Sequence, residues 1–235
     1  MLDLHGYGPS IFKGAILTIE LAFLSLLIAV ILGLLGASGK LSAKRPLRWL
    51  STLYTTVIRG VPDLVLMMLI YFGGQIGINA LSDWVYEISG GQLDIFFQVN
   101  PFVAGVATIG FIFGAYMSET FRGAFMAVEN GQIEAGKAYG MTGWQVFSRI
   151  MFPQMMRHAL PGLGNNWQVL LKTTALVSVI GLADMVNLAT AAAKTVREPF
   201  IFFVPVALVY LALTSVSEWV FLQLKRRYSV GVVEG

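Results

Sequence analysis

The sequence predicts an all-α membrane protein that crosses the bilayer as about five helices, and three observations lead to this fold class. Of the 235 residues, 56% are hydrophobic and 12% are charged, whereas soluble domains carry about 25% charged residues. The mean hydropathy is +0.72, and a single soluble core could not bury so much apolar surface. The apolar residues form five long runs, each near the ~20 residues that a helix needs to cross the hydrocarbon core.

The five runs belong to one predicted domain, 1–235, and more polar connections join them. The third run is predicted to begin at Asn100-Pro101, because proline is favoured in a first helical turn, and to continue as a helix past the membrane surface. The connection 183–195 is weakly amphipathic and is predicted to lie along the outer surface. The predicted spans are about 11–37, 52–81, 101–122, 158–182 and 200–224.

The distribution of basic residues predicts the orientation. Lysine and arginine are frequent in the first and third connections, and Lys225, Arg226 and Arg227 follow one another near the C-terminus. The second connection, 82–101, contains neither and carries three acidic residues instead. Because basic loops remain in the cytoplasm, the N-terminus is predicted to lie outside and the C-terminus inside.

Several kinds of site are excluded. The chain has no cysteine, which excludes disulfides and thiol chemistry. Neither His5 nor His158 has a second ligand at metal-binding spacing, and no catalytic motif is present, so we expect neither a metal site nor an enzyme. The segment 33–41 comes near the spacing of a phosphate-binding loop, but its first glycine is out of register and Leu41 stands where serine or threonine must hold magnesium. We interpret this segment as a helix end.

The third connection is predicted to contain two short helices. Gln132–Tyr139 has a helical pattern that Gly140 ends. Thr142 and Gln145 have the spacing of a capping box at the start of a second helix. That helix is predicted to end at Met151, because a proline two residues later pushes the residue before it out of the α region.

Helices of about two turns are not stable alone in water, so this pair must pack on another surface. The sequence leaves two alternatives open, which are the chain's own membrane helices and a cytoplasmic partner. The second helix offers an apolar side for either contact. Its residues are Trp144, Phe147, Ile150 and Met151.

In the segment 129–153, the run Glu-Ala-Gly is followed by a glycine after three residues, an isoleucine after nine more and a proline after two more. With this spacing the segment resembles the EAA loop of ABC importer permeases, which provides the coupling helices that enter a cleft of the ATPase subunit. The resemblance implies that the matching residues couple this chain to an ATPase. Gly136 stands where the family usually has alanine, and we expect it to weaken the helix by up to ~1 kcal/mol. The matching residues are Glu134, Ala135, Gly136, Gly140, Ile150 and Pro153.

Further motifs narrow the resemblance to permeases for polar amino acids. Arg59-Gly60-Val61-Pro62 is similar to their R-G-T-P motif, and the stretch 114–123, with Glu119 and Arg122, matches their G-A-Y-x-x-E-x-x-R-G pattern. The run 170–176 matches a third pattern. The runs IRGVPDLVLMMLI and RRYSVGV resemble the Q-type permeases of histidine/lysine/arginine/ornithine importers.

This resemblance implies a type I ABC importer permease that moves polar, basic amino acids by alternating access in a bacterial cytoplasmic membrane. It also implies a second permease subunit, similar or identical, two ATP-binding cassette subunits that hold ATP and magnesium, and an external solute-binding protein. We expect the chain itself to contact lipid and to bind neither a cofactor nor nucleic acid. Opines and other polar amino acids remain alternative substrates, and a secondary transporter driven by an ion gradient remains an alternative function.

Charged residues within the predicted spans are candidate functional groups, because charges at membrane depth face a cavity or a partner. Glu119 either pairs with Arg122 or gives a translocation path an acidic lining. Lys172 either neutralises a carboxylate of the protein or meets a substrate carboxylate. Glu20 and Glu218 are expected to anchor helices to a partner permease rather than to contact substrate.

Three hydroxyl residues complete the candidate translocation path. Thr173, Thr174 and Ser178 follow Lys172 along the fourth span. They either provide neutral hydrogen bonds in the path or pack between membrane helices without a functional role.

Overall fold

The computed structural model describes residues 4–90 and 98–228, and these residues are almost entirely helical. A π-helical turn, Phe147–Met151, precedes α7, and a 3₁₀ segment, Thr174–Ile180, follows it. The α-helices in the described residues are α1 Gly8–Leu41, α2 Arg45–Gly60, α3 Asp63–Ile88, α4 Pro101–Met126, α5 Asn130–Ala138, α6 Gly143–Val146, α7 Phe152–Thr173, α8 Met185–Val196 and α9 Pro199–Tyr228.

Four helices are long and apolar enough to cross a membrane, and these are α1, α3, α4 and α9. A fifth span results if the helical run Gly143–Ile180 and α8, which meet at 54°, are taken together. The predicted all-α class with about five spans is therefore confirmed.

Helix α4 lies at the centre of the bundle and packs against α1 along most of its length. The two backbones approach closely because glycines on each helix leave room for side chains of the other. A Cβ added at Gly110 would lie 2.6 Å from Cγ2 of Ile28, and one added at Gly36 would lie 2.1 Å from Oγ of Ser118. The glycines of the third apolar run thus serve helix packing, and the segment 33–41 is the end of α1, as predicted.

The N-terminus of α4 also agrees with the prediction. Asn100 caps the helix, and its side chain accepts hydrogen bonds from the backbone N–H groups of Phe102 and Val103 at 2.8 and 3.4 Å. Pro101 occupies the first turn, where its missing N–H has no helical partner to lose. The helix continues to Met126, beyond the predicted end of the span at 122.

The predicted span 52–81 is not a single helix. Helix α2 ends at Gly60, and α3 begins at Asp63. Val61 between them is extended, with φ −115° and ψ 139°. The physical reason is Pro62, whose ring excludes the preceding residue from the α region.

The predicted end of the second loop helix before Phe152-Pro153 is wrong. Phe152 is helical, and its N–H donates to the carbonyl of Phe147, five residues back. The wider π-turn accommodates the ring of Pro153, which would otherwise press on the carbonyl four residues earlier. Helix α6 therefore continues into α7 as one run, Gly143–Ile180.

The end of the fourth predicted span, 158–182, is not α-helical throughout. The 3₁₀ segment ends at Ile180, and Gly181 follows it with a φ of +85°, a left-handed conformation at the point where the chain bends by 54° into α8. Helix α8 then covers most of the predicted amphipathic segment 183–195 and ends one residue beyond it, at Val196, and its alanine-rich face is buried against α1 and α9.

Candidate functional site

The first helix of the third connection ends in a Schellman motif. The N–H of Met141 donates to the carbonyl of Gly136 at 3.1 Å, and the N–H of Gly140 donates to that of Lys137 at 2.9 Å. Gly140 has a φ of +78°, a conformation that favours glycine. The predicted role of Gly140 as the residue that ends this helix is confirmed.

The second helix begins with the predicted capping box. The Thr142 hydroxyl accepts from the N–H of Gln145 at 3.3 Å, and the Gln145 side chain accepts from the N–H of Thr142 at 2.8 Å. Two backbone donors that the first turn leaves unpaired are thereby satisfied. Local interactions of neighbouring residues therefore determine where α5 ends and where α6 begins.

Gly136 is the contact point between the two loop helices. It is buried, and a Cβ at this position would lie 2.6 Å from Cδ1 of Ile150 and 3.4 Å from Cγ2 of Val146. The glycine that weakens α5 as an isolated helix thus makes room for Ile150. On the side that faces the bundle, Ile133 of α5 packs against the main hydrophobic core.

The opposite side of the loop remains open. Glu134 and Ala135 are exposed, and the Tyr139 and Trp144 side chains are 88% and 72% exposed. The Trp144 ring stacks on Phe147 with 5.7 Å between centroids. Exposed aromatic side chains held in a fixed arrangement are typical of the centre of a protein interface.

The two amino-acid-permease motifs meet where α2, α3 and α4 converge. The Arg59 guanidinium lies 5.5 Å from the ring centroid of Tyr116, which is cation–π distance. The carboxylate of Asp63, at the start of α3, lies near the Tyr116 hydroxyl. Gly60 and Pro62 form the break between α2 and α3, so this break is tied to the middle of α4.

Glu119 accepts hydrogen bonds from two cations. Its Oε2 lies 3.0 Å from Nε of Arg122, and its Oε1 accepts from Nζ of Lys40. The predicted pairing with Arg122 is present, whereas sequence reasoning did not identify Lys40. With both oxygens engaged by the protein's own cations, the geometry favours the structural role of Glu119 over the acidic lining of a path.

The three hydroxyls of the candidate path bond to their own helical segment. Thr173 donates to the Val169 carbonyl at 2.9 Å, and Ser178 donates to the Ala175 carbonyl at 2.7 Å. Thr174 is fully buried and lies 3.3 Å from the hydroxyl of Tyr210 on α9. Lys172 is exposed, so the structure separates the lysine from Thr174.

Asp184 is a buried carboxylate that the sequence analysis missed. It is fully buried and caps α8, accepting from the N–H groups of Val186 and Asn187 at 3.3 and 2.9 Å. The N–H of Met185 bonds to the Thr18 hydroxyl of α1. An aspartate directly before an apolar helical segment is a capping signal that could have identified it.

The described residues contain no group of three or more His, Cys, Asp or Glu side chains that could hold a metal ion. The candidate functional features are a capped loop with an exposed aromatic side and the charged residues that lie where α1, α2 and α4 meet.

Nearly the whole chain is similar in sequence to known transport permeases. The histidine/lysine/arginine/ornithine transport system permease protein HisQ of Escherichia coli (strain K12) is 55% identical over 229 residues, 97% of this chain and 97% of that protein. The arginine ABC transporter permease protein ArtQ of the same strain is 38% identical over 211 residues, 87% of this chain and 88% of that protein.

A solved structure has the same fold. A chain in the crystal structure of an amino acid ABC transporter with histidines has a TM-score of 0.77 and 32% identity, with 96% of this chain and 97% of that chain covered. The family model described as binding-protein-dependent transport system inner membrane component matches residues 25–230. The resemblance predicted from the motifs is confirmed, and the chain belongs to this family of ABC importer permeases.

Proposed function

We propose that this chain is the translocation subunit of an ATP-driven importer of basic amino acids that works by alternating access. The substrate class is supported by the 55% identity to a permease of a histidine/lysine/arginine/ornithine transport system and by the 38% identity to an arginine permease. As a member of a permease family, the chain is a transport component rather than an enzyme. A separate ATPase supplies the energy.

The proposed coupling role is supported by the loop that α5, α6 and the π-turn form. Its aromatic side is exposed although the loop is rigidly capped at Gly140 and Thr142. Residues Glu134 and Ala135 of the same loop are also exposed. An exposed aromatic surface of this kind is typical of a site that binds a partner protein.

The continuity of the helix gives the loop a mechanical role. Because Gly143–Ile180 is one helical run, a displacement of α6 by the ATPase moves α7 with it. ATP binding must favour one of two global arrangements by a few kcal/mol to shift their populations. In this proposal, a force applied at Trp144 is transmitted directly to α7, because no flexible linker separates α6 from α7.

The partners follow from this mechanism. We propose that the chain assembles with a second permease subunit, similar or identical, two ATP-binding cassette subunits that bind ATP and magnesium, and an external solute-binding protein. The proposed orientation in a bacterial cytoplasmic membrane has the N-terminus outside and the C-terminus inside. Its support is that α5, α6 and the basic end of α9 then lie on the cytoplasmic side.

Of the candidate path residues, we propose that Lys172 faces the translocation path, since it is exposed within a membrane-crossing run. Thr173, Thr174 and Ser178 stabilise the end of that run. We propose that Glu119 and Arg122 hold α1 and α4 together.

Charge reversal at Glu134 tests the coupling role. We expect the complex with Glu134→Lys, in lipid vesicles with its binding protein, to assemble normally but to lose substrate-stimulated ATP hydrolysis and arginine uptake together. Glu129→Lys is the matched control, because Glu129 is also exposed and lies on the same loop outside the motif. Retention of both activities by Glu134→Lys would refute the proposed lever.

A further inference from the structure

Helix α7 has an exposed polar stripe that the proposed coupling role does not use. His158, Asn165 and Lys172 are exposed and Gln168 is half-buried, at positions i, i+7, i+14 and i+10 of the run. This spacing places the four side chains along one side of a helix. None of them hydrogen-bonds or forms an ion pair within residues 4–90 and 98–228.

A stripe of this kind does not fit a lipid-facing surface. The exposed side of the inner half of α1, from Phe23 to Leu35, is apolar, as contact with lipid requires. Polar and charged groups at membrane depth instead face a cavity or a partner. The two helices of the same chain thus differ in what their exposed sides can contact.

The middle of the stripe lines a cleft between α7 and α9. The cleft has a volume of about 310 Å³, which is at the lower end of the range for small-molecule sites. Asn165 and Gln168 line it from α7. From α9 come Glu218 and Lys225, with the Phe221 ring between them.

Glu218 and Lys225 have opposite charges and lie two turns apart on α9, which is about 10 Å along the helix axis. Neither forms an ion pair with the described part of the chain. A basic amino acid carries an α-carboxylate next to its α-ammonium group at one end, and a second cation at the end of its side chain. Along α9, the cleft offers one acidic and one basic side chain, which can pair with the side-chain cation and the carboxylate of such a substrate. The flexible side chain of Lys225 can adjust its reach to the length of the substrate.

We propose that this α7–α9 cleft is a subsite for the basic amino acid in transit, with the substrate's side-chain cation at Glu218 and its α-carboxylate at Lys225. Asn165 and Gln168 provide neutral hydrogen bonds. The inference rests on the proposed function and goes beyond it, because it assigns charge recognition to this subunit. It also reverses the expectation that Glu218 only anchors a helix to a partner permease.

Equilibrium binding tests the subsite in the assembled transporter, in lipid nanodiscs without ATP and without the binding protein. We expect Glu218→Gln to weaken binding of labelled arginine about tenfold to a hundredfold, as for the loss of a hydrogen bond to a charged group. Citrulline, which lacks the side-chain cation, is expected to bind weakly to both forms. Glu20→Gln is the matched control, because Glu20 is an exposed carboxylate within α1 that does not line the cleft.

Two further variants keep the proposal testable. Glu218→Asp retains the charge and is expected to retain most of the binding. Lys225→Gln is expected to weaken arginine binding but not that of agmatine, which lacks the carboxylate. Unchanged arginine binding by Glu218→Gln would overturn the proposal, and so would a loss of complex assembly in this variant alone, which would identify the cleft as a subunit contact. Failure of the wild-type transporter to take up arginine with ATP would refute the proposed function instead.

Discussion

Replacing Lys40 with methionine tests whether its ion pair with Glu119 holds α1 against α4. The two side chains are only 12% and 20% exposed, so neither charge can reach bulk water by a small rotation. Removing one partner of a buried pair costs about 3–5 kcal/mol. Glu119 still has Arg122, 3.0 Å away, so we expect the free energy of unfolding to fall by about 2–3 kcal/mol.

The free energy of unfolding can be measured for the purified chain in micelles by titration with a denaturing detergent, with helicity as the signal. Lys44→Met is the control, because Lys44 is exposed and forms no ion pair with residues 4–90 or 98–228. Adding Glu119→Gln completes a double-mutant cycle, in which we expect the double variant to lose less than the sum of the single losses. A change below about 0.5 kcal/mol for Lys40→Met, the range of ordinary surface substitutions, would refute the reasoning.

Two further substitutions test local packing. Gly136→Ala is expected to leave the thermal stability of the assembled transporter nearly unchanged, because up to ~1 kcal/mol of helix propensity offsets the contact with the flexible end of Ile150; Gly136→Leu is expected to cost about 1–3 kcal/mol. Asp184→Ala is expected to cost about 1–2 kcal/mol and to accelerate amide hydrogen exchange at the start of α8, whereas Asp184→Asn retains the cap.

Gly131 provides the control for the first of these, since a Cβ there meets nothing within 4 Å. Equal stability of Gly136→Leu and Gly131→Leu would show that the contact with Ile150 does not constrain the loop. Unchanged hydrogen exchange in Asp184→Ala would contradict the capping role of Asp184.

Features encoded by neighbouring residues could be predicted from the sequence. The cap at Asn100, the capping box at Thr142 and the glycine stop at Gly140 each depend on a few consecutive residues. The apolar runs were sufficient for the number of spans because length and hydropathy are also local properties. The resemblance of the loop to the EAA motif then predicted that the loop couples the chain to an ATPase.

Features that depend on the packing of distant residues could not be predicted in the same way. Lys40 meets Glu119 only because α1 continues beyond its apolar part and packs along α4. The π-turn before Pro153 is a response of the continuous helix to a proline, whereas the local rule predicts a break. The residues around Thr174 in the sequence do not distinguish a buried threonine from an exposed one. Thr174 is buried because α9 packs against it.

The most direct test of the central claim is the energy source for uptake by the assembled transporter in lipid vesicles. Labelled arginine is offered with its binding protein in the presence of ATP, of a non-hydrolysable ATP analogue, or of an imposed proton or sodium gradient without ATP. We predict that arginine accumulates against its concentration gradient when ATP is present, and not with the non-hydrolysable analogue or with an ion gradient in the absence of ATP. Accumulation driven by an ion gradient in the absence of ATP would contradict the account and favour a secondary transporter.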